Sequence, residues 1–156
     1  MLTTEQSTEK SVTTLNSLLR GEISACETYS QALEKLRNLE ARDVLEECLQ
    51  SHERRVERLR QQILLLGGQP SKGSGPWGAF TKLFEGGAKA LGPAAAIAAL
   101  EEGEDHGLKE YRQSLNDLDA SSRQVVEIDL LPAQVRSHQS LSTLKHNLEE
   151  VGGDLR

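Results

Sequence analysis

Two carboxylates and two imidazoles recur in this chain in matched settings. Leu18-Leu19-Arg20-Gly21-Glu22 is followed seven residues on by Tyr29, and Leu100-Glu101-Glu102-Gly103-Glu104 is followed seven on by Tyr111. Each copy leads to a Ser-His pair, Ser51-His52 after the first and Ser137-His138 after the second. Glu22, His52, Glu104 and His138 therefore make a candidate set of four groups converging on one site, with no catalytic nucleophile among them. Two carboxylates cancel a 2+ charge, and two neutral imidazoles complete a four-coordinate shell suited to Zn²⁺, or to Fe²⁺ or Mn²⁺ with added water. The same residues also allow a metal-free reading, in which each glutamate accepts a hydrogen bond from a histidine and the tyrosines satisfy what remains. Both readings start from one constraint. An unpartnered buried carboxylate costs several kcal/mol, against a total stability of only ~5–15 kcal/mol.

Four amphipathic helices are expected to carry these groups. Residues 1–8 are polar and expected to fray. Over roughly 9–37, Leu15, Leu18, Leu19, Ala25, Cys26, Tyr29, Leu33 and Leu36 repeat at the 3–4 spacing of a core-facing stripe, with Glu22 inside it. Over roughly 42–66 the stripe is Leu45, Cys48, Leu49, Val56, Leu59, Ile63 and Leu66, with His52 in its middle, and Gly67-Gly68 then Pro70 end the helix. Residues 67–92 form a long Gly-, Ser- and Pro-rich connection that also holds Trp77, Phe80 and Phe84. A short helix over 77–85 is expected to press those rings onto the bundle.

The third helix starts near Pro93, an acceptable first-turn residue, and runs to about 118 with Ile97, Leu100, Glu104, Leu108, Tyr111, Leu115 and Leu118 inward. The fourth runs from about 122 to 150 with Ile128, Leu131, Val135, His138, Leu141, Leu144 and Leu148 inward, and Pro132 is expected to kink it. Residues at one height on an antiparallel hairpin have a constant sum of numbers. Pairing Glu22 with His52 centres the first turn on Arg37, and pairing Glu104 with His138 centres the second on Ser121, where the periodicities independently place them. A plain up-down-up-down bundle needs only a short middle loop. The long connection instead points to one crossover, up-down-down-up.

Composition removes several classes. The chain has 156 residues and a net charge of −6, with acidic and basic residues interspersed, so no basic stripe invites nucleic acid. Aromatics are 3%, too few for a base-stacking surface. No stretch approaches the ~20 apolar residues of a membrane span, and Met1-Leu2-Thr3-Thr4-Glu5 lacks the start of a signal peptide. A cytoplasmic location is expected. No Ser-His-Asp order, phosphate loop or CxxC is present. Cys26 and Cys48 read as buried small hydrophobes, His106 and His146 as solvated, and Glu53-Arg54-Arg55 as exposed helix surface. Phe80, Leu83 and Phe84 on the crossover allow a homodimer.

One crossover, Glu-x6-Tyr on the first helix and a repeat of that pattern resemble the ferritin-like superfamily. The chain is similar, over roughly 9–150, to an uncharacterised bacterial family of ferritin-like four-helix proteins with Gly-Glu on helix 1 and a Glu-Gly-Glu-Asp-like run on helix 3, here Glu102-Gly103-Glu104-Asp105. The resemblance implies an all-α, ferritin-like four-helix bundle in a single domain; a stress or redox role is the expectation that goes with the metal-binding reading. Di-iron members of the superfamily supply a Glu from each of two helices and Glu-x-x-His from each of the others. Glu22 and Glu104 match the lone glutamates, and His52 and His138 match the histidines. Leu49 and Val135 stand where the remaining two glutamates would be. One divalent ion or none is the expectation, without di-iron oxidase activity, with Glu101 as the only spare carboxylate and Tyr29 and Tyr111 as supporting hydrogen-bond donors.

Overall fold

A computed structural model describes residues 1–75 and 78–154, with side chains for 1–75 and 92–150. The described chain is all-helical: α1 (Thr4–Lys35), α2 (Leu39–Leu65), α3 (Gly78–Ser114), α4 (Ala120–Val125) and α5 (Leu131–Asp154). A 3-10 turn at Leu115–Asp117 ends α3, and a π turn at Val126–Leu130 joins α4 to α5 as one rod.

Local chemistry sets most of these limits. Residues 1–8 were expected to fray, but Thr3 and Gln6 form a reciprocal capping box that starts α1 at Thr4. Asn38 caps α2 by accepting from the Ala41 amide at 2.9 Å, and Arg42 donates to the Leu33 and Leu36 carbonyls left open where α1 ends. The turn centres on Arg37, as the Glu22–His52 register requires. Gly67, at φ +78°, ends α2: its amide bonds the Leu64 carbonyl and that of Gly68 bonds Ile63. This double closure is open to glycine because it needs a left-handed residue.

The connection then follows α1. Asn16 bonds the Gln69 carbonyl and the Ser71 amide, Arg20 reaches the Ser71 hydroxyl, and Ser74 reaches Glu27. Residues 69–75 thus rise along α1 from Asn16, past its middle, to Glu27. Helical backbone spans 78–91 and breaks at Gly92 (φ 62°, ψ 171°), and α3 restarts at Pro93 as the sequence predicts. Trp77 and the side chains of Phe80, Leu83 and Phe84 lie outside the described residues, and with them the ring-pressing contact and the dimer surface.

The fourth helix departs from expectation. The distortion attributed to Pro132 takes the form of the π turn that ends two residues before it, where the Leu131 amide reaches back to Val126. A π turn carries one extra residue, so a single α-helical phase cannot be drawn through it. Ile128, expected inward, is 63% exposed, while Leu130, Gln134, Ser137, Leu141 and Leu144 are buried.

The core has two apolar halves. One gathers Tyr29, Ala32, Leu36, Leu45, Cys48, Ile97, Leu100, Leu141 and Leu144. The other gathers Leu15, Leu19, Val56, Leu59, Ile63, Tyr111, Val125, Val126 and Leu130. Between them lies a layer of buried polar and charged side chains.

Candidate functional site

That layer is built around His52. Its Nδ1 lies 2.5 Å from Glu22 Oε2 and its Nε2 lies 2.6 Å from Glu104 Oε1. A neutral imidazole carries one N–H, so one of these contacts would set lone pair against lone pair. An imidazolium donates to both. Burial pushes the His52 pKa down, but the Glu22 and Glu104 carboxylates outweigh that and hold it above the usual histidine value.

A second cation completes the layer. Arg55, one turn beyond His52 on α2, is 2% exposed. Its Nη1 donates to Glu22 Oε1 at 3.1 Å and to Gln134 Oε1, and its Nη2 donates to Ser137 Oγ at 3.1 Å. The expectation that Arg55 belongs to exposed helix surface is overturned. It sits on the inward stripe one turn from His52, where the spacing points inward and the charge points to the surface. Two carboxylates, one imidazolium and one guanidinium sum to zero charge.

The remaining lone pairs are filled symmetrically. Tyr29 OH donates to Glu104 Oε1 and Tyr111 OH donates to Glu22 Oε1, both at 2.6 Å. Each half of the repeat therefore supplies the tyrosine for the other half's glutamate. Gln134 Nε2 and Ser137 Oγ donate to Glu104 Oε2 at 2.8 and 2.7 Å. Burial raises the Glu22 pKa, but Arg55, His52 and the Tyr111 hydrogen bond hold it below the usual carboxylate value. For Glu104, burial is outweighed by His52, Arg55 and Tyr29, and its pKa falls to about 2. Burial and the adjacent carboxylates keep both tyrosines well above their ordinary pKa.

Of the four candidate ligands, Glu22, His52 and Glu104 meet and His138 does not. Its side chain is 25% exposed and faces Asp105 at 3.9 Å. The inward phase of α5 passes through Gln134 and Ser137, one residue away from Val135 and His138. Glu101 is also outside, bound to Lys145 Nζ at 2.8 Å and Ser142 Oγ at 2.9 Å. Leu49 is partly buried against the first apolar cluster. Cys26 and Cys48 are free thiols whose pKa burial raises to about 12, the inert state expected of small hydrophobes. Gln134 was missed; its one sequence signal is that it matches Cys48 in the repeat. Ser137 stands in the Ser-His pair, where the imidazole beside it is the stronger sign of chemistry.

The arrangement does not fit a divalent ion. Both His52 nitrogens face carboxylate oxygens, Arg55 places a cation against Glu22, and the second imidazole is absent from the layer. Among the described residues no group of three or more His, Cys, Asp and Glu side chains is disposed to hold a metal. A small cavity of about 80 Å³ between α1 and α3 opens toward the layer past Gly21, Gly103 and Gly107.

The fold and this centre define a helical bundle with a buried, charge-balanced polar core. Residues 10–117 match the family described as a domain of unknown function (DUF2383), and the chain belongs to that family. The matched span contains Glu22, His52, Arg55, Glu104 and both tyrosines, while Gln134, Ser137 and His138 lie beyond it. No curated protein and no solved structure matches the chain. Among the described residues no helix is long and apolar enough to cross a membrane.

Proposed function

We propose that this chain is a metal-free helical structural or interaction module, a ferritin-like four-helix bundle whose site has become a charge-balanced lock between two hairpins. The observation that carries the reading is His52 held between Glu22 and Glu104, with Arg55 supplying the second positive charge. The up-down-down-up course is supported by the crossed Tyr29–Glu104 and Tyr111–Glu22 bonds, which need α1 and α3 to run in opposite directions, and by the rise of 69–75 along α1.

The lock acts on register. Its bonds join α1 to α3, α2 to α3 and α2 to α5, so sliding one hairpin along the other by a turn would leave buried charges unpaired. In that role the buried ionic layer selects one packing of the hairpins rather than adding net stability, as buried polar groups do in some bundles. On this reading the layer has no catalytic role. The alternative, one Zn, Fe or Mn ion on Glu22, His52 and Glu104, requires one His52 nitrogen to give up its carboxylate contact and turn its lone pair to the ion.

Metal analysis of the full chain, purified without chelator, tests the reading, followed by titration with Zn²⁺, Fe²⁺ and Mn²⁺ under thermal unfolding. Substoichiometric metal and no saturable rise in Tm are expected, because an ion bound only to the folded state would raise it. One tightly held equivalent that His52→Asn abolishes would overturn the reading.

A further inference from the structure

A second face of the bundle has a different chemistry. Where α2 passes α5, on the side away from the α1–α3 cavity, the two helices leave an open groove of about 650 Å³. Binding sites for small molecules commonly occupy about 300–1,000 Å³. Its charged rim is mainly arginine: Arg54 and Arg58 on α2 face Arg136 on α5, and Arg55 with Ser137 lies at the floor.

The local charge runs against the chain. The protein carries 24 acidic and 18 basic residues, yet only Glu47 and Asp129 bring negative charge to this groove. Asp129 is bound to Arg58 at 3.2 Å, and Arg55 is committed to the buried layer. Among the described residues no ion pair engages Arg54 or Arg136. Arg54 and Arg58 are also four apart on one helix, a like-charge spacing that is unfavourable when nothing lies between them. Gln50 adds an amide at the same rim. Guanidinium forks match the paired oxygens of carboxylates and phosphates.

We propose that the α2–α5 groove binds a small organic dianion, a phosphate ester or a dicarboxylate, held between Arg54 and Arg58 on one wall and Arg136 on the other. The anion bridges two helices that pack on each other less extensively than α1 on α2 or α3 on α5. It sits directly above Arg55, on the outer side of the charge-balanced layer. The proposal does not depend on whether that layer binds metal, and the probes below carry none.

The test is calorimetric and NMR titration of the full chain with inorganic phosphate, glycerol phosphate and succinate, against chloride at matched ionic strength. Saturable binding with shifts confined to residues around 50–58 and 129–140 is expected. The Arg54→Gln, Arg136→Gln double variant removes two exposed, unpaired side chains and should fold normally. It should lose at least tenfold in affinity, while Arg112→Gln, an exposed charge elsewhere, should leave affinity unchanged. Binding by the phosphates alone or by succinate alone assigns the source of the anion, and each upholds the site. No saturable binding of any probe, or equal affinity in the double variant with a native spectrum, overturns the proposal.

Discussion

The Arg55 guanidinium lies 3.1 Å from the Glu22 carboxylate in the centre of the bundle, with both side chains at most 4% exposed. Removing either partner of such a pair leaves an uncompensated charge where water cannot reach. Arg55→Met keeps the volume and deletes the charge. It should cost about 3–5 kcal/mol, the usual result of breaking a buried pair, measured as a shift of the urea midpoint at unchanged slope. A loss below 1 kcal/mol would show that Glu22 does not depend on Arg55. Arg55→Lys should recover only part, because an ammonium cannot span Glu22, Gln134 and Ser137 together.

The layer also sets a pH window. His52 has a raised folded pKa against an ordinary value of 6.5, so its contribution is complete below 6.5 and is lost as pH rises through the folded value. Glu22 and Glu104 have lowered values against an ordinary 4.5, so theirs is complete above 4.5 and is lost as pH falls toward about 2 for Glu104. Stability should therefore be highest between about pH 4.5 and 6.5, falling on both sides. Urea midpoints across pH 3–9 check this. His52→Asn should flatten the alkaline limb, and an unchanged alkaline limb in that variant would refute the imidazolium assignment.

The tyrosine exchange gives a symmetric expectation. Tyr29→Phe and Tyr111→Phe each delete one hydroxyl donor to a buried carboxylate and leave the ring in place. Hydrogen bonds to charged groups contribute about 1.5–3 kcal/mol. Both variants should lose stability in that range by chemical denaturation, and by similar amounts. If only one loses stability, the two halves of the repeat are not equivalent.

Much of this arrangement was legible in the residue pattern. The Glu22–His52 register predicted the first turn at Arg37, and the doubled Gly-Glu-x6-Tyr order pointed to Glu22, Glu104 and both tyrosines. The fourth helix was not legible in the same way. Its stripe can be drawn through Val135 and His138 or through Gln134 and Ser137, since both sets lie three to seven residues before Leu141. Hydrophobicity favours Val135, and ligand chemistry favours His138. What decides is the π turn and the demand of Glu104 for donors, a tertiary requirement that periodicity does not encode. Arg55 was lost for a related reason: a charge is ordinarily a sign of solvent, and only a partner 33 positions away reverses that.

Two helical glycines should respond oppositely to the same change. A Cβ on Gly21 meets nothing within 4 Å, so Gly21→Ala should stabilise by about 0.5–1 kcal/mol through helix propensity. A Cβ on Gly107 would lie 2.7 Å from Gln134 Nε2, the atom that donates to both the Glu104 carbonyl and its carboxylate. Gly107→Ala must move Gln134, and the resulting loss of about 1–3 kcal/mol for an unsatisfied buried group should exceed the propensity gain. Thermal unfolding of the two variants decides it, and a stabilising Gly107→Ala would mean that Gln134 is not held as described.

The two histidines of the repeat should separate most sharply. His138 lies partly exposed on α5, 3.9 Å from an exposed Asp105, a contact of the kind that contributes ~0–1 kcal/mol. His138→Ala should change stability by less than about 1 kcal/mol and leave the Glu22–Arg55 centre intact. His52→Ala removes the group that, alone among the described residues, bonds both carboxylates, and leaves Glu22 with Arg55 and Tyr111, and Glu104 with Tyr29, Gln134 and Ser137. It unbalances the layer by one negative charge, so the loss should reach several kcal/mol, and it should be larger at pH 5, where the imidazolium contributes in full, than at pH 7. Denaturant midpoints of both variants at pH 7 and pH 5 test the pair together. Equal losses in the two variants would restore His138 to the core and remove the asymmetry on which the metal-free reading rests.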